Sequence, residues 1–417
     1  MDNSIISNQA SGFLRVFAFT AVGMKPISQA IVSVYPSGLP TQLLMTMVTN
    51  ENGQTESLSY PTPPLSYSME PSTVQPYSEL DVRIEREGYE TVVVDNVHIF
   101  PEKASLLEVS MMPTPSLETP PSELFVIPAN TLFGDFPPKI PEDELKTVPE
   151  TGEIVLSEAV IPEYVVVHDG PPADRNAENY YIKYKDYIKN VASSEIYATW
   201  PEQCLIANIL AISSFTLNRV YTEWYRNKGY NFTITTSTAY DQKFVPGRNV
   251  FDSISEIVDS VFTNYIARPN ISQPLLTQYC DGVRTQCPRF MSQWGSKDLA
   301  DQGLSAIEIL RYYYGNDVYL AEAEEVAGVP ISFPGAPLSL GSTGADVRTI
   351  QSQLNTISDT YSLIPKLAVD GIYGRNTESA VKTFQKIFGL SQSGVVDRST
   401  WNKISEIYVA VTKIAEL

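Results

Sequence analysis

Apolar and polar positions follow different periods along this chain, and each change of period marks a change of element. Over residues 12–113 the period is two. Leu80, Val82 and Ile84 alternate with Asp81, Arg83 and Glu85, and Leu107, Val109 and Met111 repeat the pattern. Asn52-Gly53 is a tight-turn signal between two such runs. Short alternating runs with Gly, Pro and Asn punctuation predict a small antiparallel β-sandwich over residues 1–113. His98, between Val97 and Ile99, reads as a strand histidine.

Periodicity then lapses. Residues 114–159 are acidic and carry Pro115, Pro120, Pro121, Pro128, Pro137, Pro138, Pro141 and Pro149, the composition of an extended, semi-rigid linker exposed to proteases. Within it, Leu124-Phe125-Val126-Ile127 and Ile154-Val155-Leu156 are suited to dock as edge strands.

Residues 160–330 mix both periods. A strand over 161–168 opens the region, and a strand-like lead-in ends at Glu195. Thr199-x-x-Glu202 reads as a capping box with Pro201 in the first helical turn. Ile206, Ile209, Leu210, Ile212, Phe215, Leu217 and Val220 then form a helix apolar over most of its circumference, hence a buried central helix. Phe251, Ile254, Ile257, Val258, Val261, Phe262 and Tyr265 predict a second, amphipathic helix. Over 337–417, three apolar stripes predict three helices: one on Val347, Ile350, Leu354 and Ile357, one on Ala380, Val381 and Phe384, one on Trp401, Ile404 and Tyr408. The expected fold is multidomain α+β: a β-sandwich, a mixed α/β catalytic domain around a central helix, and a three-helix bundle.

Charge narrows the range of partners. The 417 residues carry a net charge of −19, and the first 165 hold 22 Asp/Glu against 7 Lys/Arg. Nucleic acid and anionic membrane both demand clustered Lys/Arg, so neither is expected as a partner. Met1-Asp2-Asn3-Ser4 does not open a signal peptide, and no unbroken apolar run reaches the ~18–20 residues that span a bilayer. Of three cysteines, Cys204 reads as a core residue. Cys280 and Cys287 could be a disulfide, zinc ligands or unrelated thiols; the reading here is disulfide or free thiols, with no metal and no cofactor.

The candidate chemistry centres on Glu195, one carboxylate at the mouth of a rigid helix beside Tyr197 and Trp200, an arrangement suited to a general acid. Val191-Ala192-Ser193-Ser194-Glu195 with Trp200-Pro201, then Thr236-Ser237-Thr238-Ala239-Tyr240-Asp241-Gln242, then Met291-Ser292-Gln293-Trp294-Gly295 resemble, in order, three blocks of the stage II sporulation protein D family of lytic transglycosylases. That resemblance implies Glu195 as the catalytic residue, with Tyr240, Asp241, Gln242 and Gln293 positioning the glycan. Ile196-Tyr197 stands where many relatives have Met-Pro, and 279–287 replaces a loop rich in Gly and Ser.

Leu340-Gly341-Ser342, Asp370-Gly371-x-x-Gly374-x-x-Thr377 and Gly394-Val395-Val396-Asp397-x-x-Thr400-Trp401 resemble the peptidoglycan-binding domain, which implies Asp370, Tyr373, Arg375 and Trp401 as glycan contacts. The 12–89 strands resemble transthyretin-like or carboxypeptidase-regulatory modules. The whole order is similar to clostridial spore cortex-lytic enzymes. This implies a zymogen made in the mother cell, spore cortex peptidoglycan as substrate, and an activating serine protease that cuts within 114–159. Amidase activity is attributed to such relatives, yet no zinc-amidase histidine set is present. Alternatives are a non-catalytic amidase enhancer and a structural spore-wall protein.

Overall fold

The structure is a computed structural model that describes residues 10–20, 24–114, 122–146, 159–287, 290–323, 334 and 336–412. The 154–156 apolar piece and the first four residues therefore lie outside the described residues. The strands are β1 Ala10–Thr20, β2 Ile31–Pro36, β3 Met45–Val48, β4 Leu58–Thr62, β5 Ser78–Glu85, β6 Thr91–Ile99, β7 Ala104–Met111 and β8 Ser122–Val126. After them come β9 Tyr164–His168, β10 Asn179–Lys183, α1 Tyr184–Glu195, α2 Glu202–Tyr221, β11 Ile234–Thr235 and β12 Val250–Phe251. Next follow α3 Asp252–Val261, β13 Asn264–Ala267, β14 Tyr279–Cys280, β15 Met291–Ser292, α4 Gln293–Asp301, α5 Ala306–Tyr314 and β16 Tyr319–Glu322. The last helices are α6 Ala345–Ser358, α7 Arg375–Ile387 and α8 Arg398–Thr412.

These elements form two compact units, each discontinuous in sequence. One joins Met1–Pro128, Pro246–Glu256 and Val329–Leu417; the other joins Ala129–Val245 and Ile257–Gly328.

In the first unit a four-stranded sheet (β12-β7-β1-β4) and a five-stranded sheet (β3-β2-β5-β6-β8) share one apolar core. Leu80, Val82 and Ile84 are fully buried, as their alternation requires. β8 pairs in parallel with β6, Thr91 opposite Ser122 through Asp95 opposite Val126, so part of the proline-rich stretch is an edge strand. At the 52–53 turn Gly53 has φ +73°, and a Cβ there would lie 2.3 Å from the Ala18 carbonyl oxygen, so only glycine fits. His98 is buried, stacks on Tyr77 at 3.9 Å between centroids, and faces Arg248 at 3.0 Å. Burial, then the Arg248 charge, holds its imidazole well below the usual histidine range. It is therefore neutral, and its 3.7 Å approach to Glu79 is not an ion pair.

The three C-terminal helices bury Val347, Ile350, Leu354, Ala380, Val381, Phe384 and Trp401 in a second cluster. Phe17 of β1 belongs to that same cluster and meets Phe388 edge-on at 6.4 Å. The β region and the helices thus share apolar surface.

In the second unit α2 is the centre, packed against α1, α4, α5 and β13. It is long and apolar enough to cross a membrane, with a mean hydropathy of 1.3, but 89% of that stretch is buried inside the protein. The unbroken-run criterion missed it because Asn208, Ser213, Ser214, Thr216 and Asn218 interrupt the apolar positions; all five are buried. Several bond locally or to neighbours, as in Thr216 Oγ1 to the Ile212 carbonyl at 2.9 Å.

Two local expectations are corrected. The lead-in to Glu195 is a helix, α1, whose Tyr184, Tyr187, Ile188 and Val191 bury a face at helical spacing. Helix α2 begins at Glu202 with Pro201 as its N-cap, in extended backbone (φ −54°, ψ 143°) and with no side-chain capping bond. Proline fixes φ there, which sets the extended entry into the helix.

Candidate active site

Glu195 is the last residue of α1, and the chain turns extended at Ile196. Its carboxylate is only 3% exposed. Oε1 accepts the Lys243 main-chain N–H at 2.7 Å, and Oε2 accepts the Tyr279 hydroxyl at 2.5 Å. The carbonyl of the same residue accepts Gln293 Nε2 at 3.1 Å. Burial, the largest influence, raises the carboxyl above its ordinary range, while the Lys139 charge and the Tyr279 and Lys243 hydrogen bonds pull it back. The carboxyl lines a cavity of about 570 Å³ with Tyr279, Gln293, Thr238, Asp281 and residues 134–139. Tyr197, Trp200 and Trp294 form a buried edge-to-face trio, Trp200 to Trp294 at 4.9 Å.

The three blocks converge through one residue that the sequence reading passed over. Tyr279, on β14, gives its hydroxyl to Glu195 and accepts Gln242 Nε2 at 3.2 Å. Burial first, then the Glu195 charge, drives its phenol well above the usual range, so it stays a donor. It stands at the start of the stretch that departs from the family pattern. Gln242 is fully buried: its Oε1 accepts Tyr187 at 3.0 Å and Thr216 at 2.8 Å, and its Nε2 also reaches the Ile212 carbonyl at 3.1 Å. Its amide is used up in the core, so it acts on Glu195 through Tyr279.

Asp241 is likewise fully buried. Its oxygens take Arg219 Nε at 2.7 Å, the Tyr225 hydroxyl at 2.6 Å, and the Thr235 N–H and hydroxyl at 3.0 and 2.7 Å. Arg219, 1% exposed, also grips Glu142 with both terminal nitrogens, at 3.2 and 2.5 Å. Burial opposes its charge, but Asp241 and Glu142 outweigh burial and raise its pKa. Asp241 is therefore an internal counter-ion with no face toward a glycan. Tyr240 is 38% exposed and lines a different cavity, of about 960 Å³, with Trp224, Tyr230 and residues 140–146.

Cys280 and Cys287 form a disulfide, Cα atoms 5.9 Å apart, at the rim of the Glu195 cavity. Cys204 is a buried thiol, pushed up to about 12 by burial. Among the described residues, no three His, Cys, Asp or Glu side chains gather as a metal site.

In the C-terminal region Asp370 and Arg375 are exposed, with Asp370 Oδ1 accepting Gln351 Nε2 at 3.0 Å and the Ile372 N–H at 2.9 Å. Tyr373 and Trp401 point inward, 1% and 0% exposed, and Tyr373 gives its hydroxyl to the Gly394 carbonyl at 2.8 Å. They are core residues here, a correction to their expected role as glycan contacts.

Residues 343–404 match the peptidoglycan binding domain family. The C-terminal region carries a peptidoglycan-binding domain. A stretch of 70 residues is 37% identical to the zinc D-Ala-D-Ala carboxypeptidase of Streptomyces albus G, covering 17% of this chain and 26% of that protein. The chain thus spans about a quarter of the curated relative it matches. Among solved structures, the Bacillus anthracis TIE protein aligns with a TM-score of 0.19 and 13% identity, over 25% of this chain and 17% of that one. The 3-chlorocatechol 1,2-dioxygenase of Rhodococcus opacus 1CP aligns at 0.19 and 10%, over 26% and 62%. Likenesses at this level carry no argument.

Proposed function

We propose that the chain is a spore cortex-lytic transglycosylase, held as a zymogen and anchored to peptidoglycan by its C-terminal domain. In this reading the β region is a sandwich-like prodomain, the last three helices are the wall-binding bundle, and the enzyme is made in the mother cell and acts in the spore. The observation that carries the reading is Glu195: a single buried carboxyl with raised proton affinity, bonded to Tyr279, beside a cavity, and set in three ordered blocks resembling the stage II sporulation protein D family.

The chemistry needs one group with two tasks. Protonated Glu195 gives its proton to the glycosidic oxygen between N-acetylmuramic acid and N-acetylglucosamine as C1 gains positive character. The resulting carboxylate takes the proton of the muramic C6 hydroxyl. That oxygen bonds to C1, closing a 1,6-anhydro ring and returning the proton to Glu195. No water is consumed, so no second carboxylate is required. Tyr279 holds the carboxyl in place, and Gln242 holds Tyr279.

The test is mass spectrometry of cortex fragments after digestion with the full chain, intact and nicked by a serine protease, beside the same chain carrying Glu195→Gln. Anhydro-muramic ends that vanish in the variant are expected, with more product from the nicked chain. Reducing ends would indicate a hydrolase, and released stem peptides an amidase. No product from any sample would leave an enhancer or a wall-binding protein.

A further inference from the structure

The segment that precedes strand β9 lies along the site. Residues 130–146 form no helix or strand, yet groups along them bond to the rest of the second unit. Thr131 N–H bonds the Ser194 carbonyl at 3.0 Å, next to Glu195. Arg284 Nη1 bonds the Phe133 and Gly134 carbonyls at 2.7 and 2.5 Å. Ile140 N–H bonds the Ala239 carbonyl at 2.7 Å, and Gln278 clasps Ile140 and Glu142 main chain, each at 2.8 Å. Lys139 Nζ donates to the Asp241 carbonyl and sits 5.0 Å over the Tyr279 ring.

Consecutive runs of this one segment wall two cavities, 134–139 the Glu195 cavity and 140–146 the larger aromatic one. The aromatic cavity offers Tyr230 and Tyr240, partly exposed rings that suit sugar faces. Glu142 lines that cavity, and behind it Arg219 is fully buried with both its outer nitrogens bonded to Glu142. A guanidinium fork of this kind recognises a carboxylate, and the segment supplies one.

We propose that residues 134–146 occupy in cis the groove that receives an acidic glycan, with Glu142 seated on Arg219 where a carboxylate of the glycan's peptide substituent binds. The proposal rests on Glu195 as the reacting group, because the groove is defined as the path that leads to it. It assigns Arg219 as a carboxylate subsite, and it makes Gly134–Lys146 self-inhibitory through occupancy of the site. A site open only a fraction of the time shows an affinity reduced by that fraction.

The experiment measures binding in the full chain carrying Glu195→Gln, by Trp fluorescence and calorimetry, so that chemistry plays no part. The probes are a reduced disaccharide-tetrapeptide, which carries carboxylates, and N-acetylchitotetraose, which carries none. Glu142→Gln and, separately, Arg284→Ala are added; the second loosens the other end of the segment without touching Arg219. The expected result is about tenfold tighter binding of the disaccharide-tetrapeptide in both, matching a segment seated about nine-tenths of the time, with a smaller gain for the chitotetraose in Glu142→Gln. Unchanged or weaker binding in both variants, each still melting cooperatively, would overturn the proposal. Equal gains for the two probes would overturn the carboxylate subsite. Tighter binding in the variants with no anhydro-muramic product from the Glu195 chain would instead sink the transglycosylase reading and leave the groove.

Discussion

At the scale of single residues, Glu195 and Asp241 have opposite characters, and burial alone does not separate them. Glu195 and Asp241 are both hidden, but Asp241 is met by a buried guanidinium and three hydroxyl or amide donors, whereas Glu195 meets one hydroxyl and one N–H. Asp241→Ala would leave Arg219 buried with half its counter-charge, a change that costs about 3–5 kcal/mol. Urea denaturation is expected to show that loss, and a variant of normal stability with a raised KM would restore Asp241 to the glycan. Glu195 behaves in the other sense. Its folded pKa is raised, so the stability it contributes is present below the ordinary glutamate pKa and lost as pH rises through the folded value. The melting temperature of the native chain relative to Glu195→Gln should therefore fall as pH rises above the ordinary glutamate range. Cleavage should fall over the same rise, as the proton needed for the leaving oxygen is lost. A stability difference flat in pH would contradict the assignment.

At the scale of elements, a short loop closed by a disulfide supports the rim of the site. Cys280 and Cys287 are seven positions apart, and the loop between them sets Asp281 and Arg284, whose guanidinium holds residues 131–134. Asp281 in turn caps the loop, accepting the Thr285 N–H at 2.8 Å. Closing a loop this small lowers unfolded-chain entropy by an amount worth about 2 kcal/mol. Reduction is expected to lower the second unit's unfolding free energy, extrapolated from urea denaturation, by that much, and no loss would show that the native loop is held without the bond. Gly282 (φ +80°) packs on Ser292, its missing Cβ 1.9 Å from that Oγ, which ties the loop to the N-cap of α4. Gln293, the first residue of α4, is thereby fixed against Glu195.

At the scale of the whole molecule, Phe17 has a consequence for a chain cut by a protease. It lies in the core of the C-terminal helices, where Tyr361 gives its hydroxyl to the Met24 carbonyl at 3.1 Å. A chain cut within 114–159 should therefore keep its two pieces together on gel filtration. Phe17→Ala, which removes an aromatic side chain from a packed cluster at a cost of about 3–5 kcal/mol, should weaken that association without abolishing it, because β12 still pairs with β7. Pieces that separate in the native chain would show that this contact is too weak to matter. Much of this was legible in the sequence. Period-two alternation located β5 and β7, apolar stripes located α2, α3 and the last three helices, and motif order brought Glu195, Gln242 and Gln293 into view, because local periodicity records which face of an element is buried. Tertiary structure alone decided what each polar residue faces. It turned Asp241, Tyr373 and Trp401 inward, made Tyr279 the link between blocks, joined the first strands to the last helices, and laid the proline-rich stretch along the Glu195 cavity. Those are pairings between residues far apart in the chain, and a one-dimensional pattern carries burial but not partners.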